Sequence, residues 1–424
     1  MQPPGAAQPL NDQQYVTLPW YESLRPVMRG GHEVLLLDSG AEFFPALEAA
    51  INEATQLIFL ETYIFEDDRT GQRIASALAA AAQRGVRVHV LVDGFGTQRQ
   101  DGQWYRIIRE AGVAIETFRP ERNRFALNRR RLRRLHRKLA VIDGRMTFVG
   151  GLNILDDYND PNHGELEFPR LDYAVRVRGP LVAHAHVAAA RLWWELSVIN
   201  RSLRRAAAAA AGSTRHRVHL PESVDSEVTP VGTMRAALVL RDNIRFRRTI
   251  GRAYLKAIGR SRREVLIACA YFFPGARFRR ALLLAVRRGV RVRLLLQGRV
   301  EYKLQHYASQ ALYEELLRGG VEIIEYRRSF LHAKAAVIDD WATVGSSNID
   351  PFSLLLAREA NVMVRDAGFA RQLRGRIEEA IGVGGVPVVL QNHERRPWPV
   401  RLMNKIAFVI LRIGVALART PERR

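Results

Sequence analysis

The chain carries one cysteine, Cys269, in 424 residues. No disulfide framework can form, and a lone thiol beside the apolar run Val265-Leu266-Ile267-Ala268 is expected in the core. Long apolar runs are lacking too. No eighteen consecutive uncharged apolar residues occur, so no membrane span is expected, and the Pro/Gln-rich start from Met1 to Leu18 has no stretch of signal length. There is no Gly-rich phosphate loop of the kinase kind and no cluster of metal-ligand spacing, so nucleotide-driven and metal-dependent chemistry are not expected. Acidic residues are scarce: 43 Asp and Glu face 65 Lys and Arg, a formal charge of +22. Such a surface prefers polyanions, either nucleic acid or an anionic bilayer, although an arginine-rich proteome leaves the same mark.

What is present is a motif written twice. His136-Arg137-Lys138-Leu139-Ala140-Val141-Ile142-Asp143, followed by Gly150-Gly151-Leu152-Asn153, returns as His332-Ala333-Lys334-Ala335-Ala336-Val337-Ile338-Asp339 and Gly345-Ser346-Ser347-Asn348. Alternation along a strand puts His136 and Lys138 on one face, and His332 and Lys334 likewise, while the apolar residues between them fill a core. An imidazole can attack phosphorus or move a proton near neutral pH. Ammonium and amide groups offer positive charge and donors to phosphate oxygens. Asp143 lies an odd seven residues beyond His136, so it should point away from the histidine. Asp143 and Asp339 therefore read as supports of the local fold or of the lysine side. Six residues separate Asp143 from Gly150 and five separate Asp339 from Gly345, so the second hairpin turn should be tighter.

The motifs sit in a duplicated α/β pattern. Strand-like and helical stretches alternate from Glu33 onward, and Gln83-Arg84-Gly85-Val86-Arg87-Val88 is echoed by Arg287-Arg288-Gly289-Val290-Arg291-Val292. The expected division is a tail over 1–30 with Trp20-Tyr21, a first lobe over 31–200, an Ala-rich linker over 201–232, a second lobe over 233–385, and a C-terminal membrane-interface segment over 386–424. The expected fold class is α/β: two pseudo-twofold lobes, each a mixed β-sheet flanked by helices, with the site at their interface. A half alone would be inactive. Trp193 and Trp194, on a helix expected over 181–198, read as packing residues.

Paired His-x-Lys-x4-Asp motifs, each completed by Gly-[Gly/Ser]-x-Asn, resemble the signature of the phospholipase D superfamily. Within it, Leu60-Glu61-Thr62-Tyr63-Ile64-Phe65-Glu66-Asp67-Asp68, Ala270-Tyr271-Phe272-Phe273-Pro274-Gly275 and Val344-Gly345-Ser346-Ser347-Asn348-Ile349-Asp350-Pro351 resemble bacterial cardiolipin synthases without N-terminal membrane spans. The likeness covers roughly residues 30 to 385. It implies catalytic motif residues His136, Lys138, Asp143, His332, Lys334 and Asp339, with phosphate held by Lys138, Lys334, Asn153 and Asn348. It also implies an acidic residue on a later strand orienting each histidine, which by position would be Asp172 for His136 and Glu359 for His332. One histidine forms a phosphohistidine while the other protonates the leaving alcohol and then deprotonates the entering one; family habit makes His136 the nucleophile. No metal and no cofactor is implied.

The implied reaction exchanges one phosphodiester for another: two phosphatidylglycerols give cardiolipin and glycerol, or a lipid such as phosphatidylethanolamine supplies the phosphatidyl group. Three features would bring the site to an anionic membrane surface, on the cytoplasmic face of the bacterial inner membrane. They are the basic stretch Arg119–Arg137, the aromatic Tyr271-Phe272-Phe273-Pro274, for which strand core is the competing reading, and an interfacial helix over 402–418, which could instead dock on the body. The rival activity is a phosphodiesterase hydrolysing phospholipid or nucleic acid; duplication within one chain disfavours a nuclease. A non-enzymatic basic binding protein is the third reading, and two complete motifs argue against it.

Overall fold

A computed structural model describes residues 26–97, 101–120, 133–161, 163–209, 230–242, 246–350 and 357–419. The first lobe runs β1 (Arg29–Asp38), α1 (Ser39–Glu53), β2 (Leu57–Thr62), α2 (Arg69–Gln83), β3 (Arg87–Asp93), α3 (Gln103–Glu110), β4 (Ala114–Phe118), β5 (Lys138–Ile142) and β6 (Met146–Gly150). It continues through a short pair, β7 (Asn159–Asp160) and β8 (Gly164–Glu165), to β9 (Tyr173–Arg178) and α4 (Leu181–Ala209). The second runs β10 (Met234–Arg241), α5 (Thr249–Arg260), β11 (Glu264–Cys269), α6 (Ala276–Arg287), β12 (Arg291–Gln297), α7 (Lys303–Gln310), α8 (Tyr313–Arg318) and β13 (Glu322–Tyr326). Then come β14 (Lys334–Ile338), β15 (Trp341–Gly345), β16 (Glu359–Arg365), α9 (Ala367–Gly384), β17 (Gly385–Pro387), α10 (Leu390–Glu394) and α11 (Trp398–Arg419).

The lobes share one strand order. Outward from β1 the first reads β9, β6, β5, β2, β3, β4; outward from β10 the second reads β16, β15, β14, β11, β12, β13, then β17. Strands β2, β3 and β4 pair in parallel, as do β11, β12 and β13. Their near-continuous apolar runs suit strands covered on both faces. The remaining pairs of this large sheet are antiparallel. β1 and β10, equivalent strands, pair antiparallel at Arg29↔Ala236 and His32↔Met234, as a twofold axis between them requires. The expected two mixed sheets therefore join into one.

A shared core lies between the lobes. Leu139, Val149 and Val175 from the first meet Val337, Val344 and Val362 from the second, closed by Val182 and Ala185 of α4 and Phe369 and Leu373 of α9. Separate clusters fill the outer side of each lobe. Helices start where acidic caps stand ready: Asp68 accepts from the Gly71 N–H at 2.8 Å, and Asp366 accepts from the Phe369 N–H at 2.8 Å.

Several expectations meet their outcome here. Cys269 is buried. Trp193 packs against His89, with ring centroids 4.6 Å apart, but Trp194 is exposed and is not a packing residue. α4 continues to Ala209, past Val198 and into the alanine run, because alanine is the strongest helix former. Phe272 and Phe273 lie in the core of the second lobe, so the aromatic stretch is not a membrane surface. Trp20-Tyr21, most of the linker and Arg129-Arg130-Arg131 lie outside the described residues.

Candidate active site

Each motif enters its strand through a backbone bridge to the other lobe. Leu135 bridges in parallel to Arg358, and the His136 N–H donates to the Arg358 carbonyl at 3.0 Å. Leu171 bridges in parallel to Leu331, and the His332 N–H donates to the Leu171 carbonyl at 2.8 Å. The residue after Arg358 is Glu359, and the residue after Leu171 is Asp172. The two stitches thus set each histidine beside a carboxylate of the opposite lobe, so the expected pairing is exchanged: Glu359 serves His136, and Asp172, which precedes His332 in the chain, serves His332. His136 Nδ1 lies 3.0 and 3.1 Å from the Glu359 oxygens, and His332 Nδ1 lies 2.6 Å from Asp172 Oδ2. Both carboxylates are buried, and both imidazoles keep one side open.

The lysines come with the histidines, as alternation requires. Lys138 Nζ donates to the His136 carbonyl at 2.9 Å, and Lys334 Nζ donates to the His332 carbonyl. Arg137, between them, faces away and forms a buried pair with Glu61 at 2.5 and 2.6 Å. Burial lowers the Lys138 ammonium to about 7, helped by repulsion from Lys334. Lys334 is lowered by burial, with Asp172 opposing that shift. Lys334 is thus near enough to repel the Lys138 ammonium, and an anion between them would relieve that repulsion.

The asparagines take matching positions. Asn153 Oδ1 accepts from the Ile64 N–H at 3.2 Å, and Asn348 Oδ1 accepts from the Tyr271 N–H at 3.4 Å. A backbone donor fixes each amide so that its NH₂ is left to donate. The second hairpin turn is the tighter one, Asp339-Asp340 against Asp143-Gly144-Arg145, yet Asn348 still reaches its place.

Histidine electrostatics are unequal. Burial lowers His136, and Glu359 pulls it back up. Burial lowers His332 well below 6.5, with Lys334, Lys138, Arg170 and His136 pushing the same way. His136 thus stands near enough to His332 to repel its proton. Burial raises Asp172 to about 6, whereas Glu359 lies below its ordinary value: His136 and hydrogen bonds from His136 and Ser346 outweigh its burial.

Asp143 and Asp339 stand away from the cleft. Asp143 accepts from the Thr55, Gln56 and Leu57 N–H groups at 2.8–2.9 Å, and Asp339 from those of Arg262, Arg263 and Glu264 at 2.9–3.0 Å. Each sits in the left-handed region, φ 50° and 52°, which aspartate tolerates better than most residues. Grouped with the catalytic set by resemblance, they hold the hairpin turns to the start of the neighbouring strands β2 and β11, and neither bonds the lysine side.

Sequence reasoning gave no role to three further groups. The Tyr63 ring lies 5.1 Å from the His136 ring and 5.3 Å from Lys138 Nζ. Ser346 donates to Glu359 at 2.5 Å, where the first lobe has Gly151, whose added Cβ would strike Asp172. Asp93 holds the Leu135 N–H at 2.8 Å and so seats the entry to the first motif. Only the Gly-Gly versus Gly-Ser difference carried a signal for any of them.

The profile described as cardiolipin synthase, PLD-like domain, matches residues 47–165 and 254–381, once in each lobe. The chain belongs to this family of phospholipase D-like cardiolipin synthases. Cardiolipin synthase B of Escherichia coli K12 is 39% identical over 409 residues, covering 93% of this chain and 92% of that one. Cardiolipin synthase A of Pseudomonas putida KT2440 is 31% identical over 82% of this chain and 68% of its own. Among solved structures, phosphatidylserine synthase of Haemophilus influenzae Rd KW20 aligns with a TM-score of 0.66 at 15% identity, over 94% of this chain and 98% of that one. That last likeness shows the fold. The paired motifs of this family member come from one chain.

Proposed function

We propose that this cardiolipin synthase family member transfers a phosphatidyl group from one phosphatidylglycerol to another, giving cardiolipin and glycerol, with residues 31–200 and 233–385 as its two catalytic lobes. The observation that carries the reading is the crossed pair of histidine–carboxylate couples facing two buried lysines across one cleft.

Burial favours the neutral form of both imidazoles in the free enzyme. His136 Nε2, aligned through Nδ1 by Glu359, attacks phosphorus. A bound phosphodiester brings negative charge, which raises the affinity of His332 for a proton. His332 then protonates the departing glycerol oxygen, and a P–N bond to His136 replaces the P–O bond. In the second half, His332 takes the proton of an entering headgroup hydroxyl. That oxygen bonds phosphorus, the P–N bond breaks, and the neutral imidazole of His136 returns. Lys138, Lys334, Asn153 and Asn348 hold the phosphoryl oxygens throughout, and Asp172 and Glu359 act as histidine-orienting residues.

One phosphodiester replaces another, so the reaction is close to isoenergetic, and water must be kept out. Docking on an anionic bilayer does this, and α11 fits that task. Ala407 and Leu411 are buried against the body, and Phe408 packs on Phe273 with ring centroids 5.4 Å apart. The opposite side exposes Trp398, Leu402, Ile406, Val409, Ile410 and Ile413, flanked by exposed Lys405 and Arg412. No described helix is long and apolar enough to cross a membrane. A docked helix with an outward apolar face supports peripheral attachment, which we place on the cytoplasmic face of the bacterial inner membrane.

The deciding experiment is mass spectrometry of lipids after incubating the protein with phosphatidylglycerol vesicles, with and without phosphatidylethanolamine. Cardiolipin is the expected product. Phosphatidic acid alone would make the protein a hydrolase.

A further inference from the structure

The cleft differs on its two sides. The bridges Phe65↔Ile154 and Phe272↔Ile349 align the lobes, so Tyr63 corresponds to Ala270 and Ile64 to Tyr271. Tyr63 stands against the His136 ring, whereas small Ala270, whose N–H donates to the Ala333 carbonyl at 3.0 Å, lines a recess with Tyr271, Gln297, Glu301, Tyr302 and Gln305. The recess encloses about 20 Å³, room for one hydroxyl-sized group.

Its polar groups are set but incompletely used. Gln297 is 8% exposed, and its Oε1 accepts at 3.2 Å from the N–H of Leu331, the residue before His332. That bond turns Nε2 the other way, and this buried donor has no partner among the described residues. Gln305 Oε1 is a buried acceptor in the same condition. Glu301 accepts from the Tyr271 hydroxyl at 2.5 Å and lies within the electrostatic reach of Lys334, tying the recess to the second motif. Unpaired buried donors and acceptors are costly to hold, and together they call for a partner that does both. A phosphate oxygen only accepts, and an ammonium only donates. A hydroxyl does both.

We infer that this recess binds a hydroxyl of the glycerol headgroup, leaving or entering, and so makes polyols the preferred alcohols at the His332 side. The inference rests on the proposed transfer reaction. With one glycerol hydroxyl held by Gln297, Gln305 and Glu301, the terminal hydroxyl is presented to His332 and phosphorus. Water and short monohydric alcohols lack the second hydroxyl and gain nothing from the recess.

The test offers the full-length protein phosphatidylglycerol vesicles with equal concentrations of deuterated glycerol and ethanol. Mass spectrometry reads labelled phosphatidylglycerol against phosphatidylethanol. The wild type should favour the labelled product, and Gln297→Leu and Glu301→Ala should each lower that ratio about tenfold or more. Gln305→Leu should move it the same way, which covers a Glu301→Ala protein that does not fold. An unchanged ratio in variants that keep the wild-type melting temperature would mean the recess holds only a structural water, and would overturn this inference alone. Neither product from the wild type would sink the transfer reaction, and this inference with it.

Discussion

Glu359 follows His136 by 223 positions, yet its two carboxylate oxygens stand 3.0 and 3.1 Å from the imidazole Nδ1. His332 and Asp172 repeat the relationship in reverse at 2.6 Å, so neither lobe owns a complete histidine–carboxylate couple. Removing the charge while keeping the shape tests the couple. Glu359→Gln and Asp172→Asn should each lower kcat for cardiolipin formation about 10²-fold or more, with melting temperatures near wild type. A loss below threefold in both would remove these residues from the mechanism.

Leaving-group chemistry separates the histidines. A soluble phosphodiester with a p-nitrophenol leaving group needs little protonation. His332→Ala should therefore still form a phosphohistidine and then stall without its base. Peptide mapping should find the adduct on His136, and His136→Ala should form none. An adduct mapped to His332 in the wild type would exchange the two roles.

The pH profile should carry the mark of burial. His136 lies below its ordinary value, so its neutral, nucleophilic form persists under pH 6.5, and kcat/KM should fall only at lower pH. Lys138 stands at about 7 in the free enzyme, so above that pH a phosphate-binding charge is lost and kcat/KM, already limited by the small protonated fraction of His332, should decline more steeply. A bound diester anion holds that proton, so kcat should fall at higher pH than kcat/KM. A kcat/KM flat from pH 7 to 9 would contradict this placement of Lys138.

Asp143, bonded to three backbone N–H groups, should govern stability rather than chemistry. Asp143→Ala strands the Thr55, Gln56 and Leu57 N–H groups and should cost about 2 kcal/mol or more in denaturant unfolding. Asp339→Ala should cost less, because two of its bonds are solvent-exposed. These N–H donors also hold the folded-state pKa of Asp143 below its ordinary value of about 4. Its contribution is thus full above that value and lost as pH falls through the folded one. Equal stability of Asp143→Ala and wild type at pH 7 would refute the role.

For α11, Ile406→Glu with Ile410→Glu should weaken sedimentation with anionic vesicles about tenfold or more without lowering the melting temperature, since both side chains face outward. Unchanged sedimentation would leave the helix as packing alone.

How far the sequence reached is clearest at the motifs. Period-two alternation alone put His136 with Lys138 and turned Asp143 away, because side-chain direction on a strand is a local property. The duplication likewise announced two similar α/β lobes. Local pattern could not say which carboxylate serves which histidine, since that rests on the Leu135↔Arg358 and Leu171↔Leu331 bridges between distant segments. Nor could it decide that Phe272 and Phe273 are core, or that α11 docks by one face and exposes the other. Those outcomes depend on what packs opposite, and residues far apart in sequence supply it. The sequence by itself determined the chemistry available and the periodicity of its strands; the meeting of the two lobes decided which groups share a cleft, because charge pairing and burial exist only between surfaces brought together.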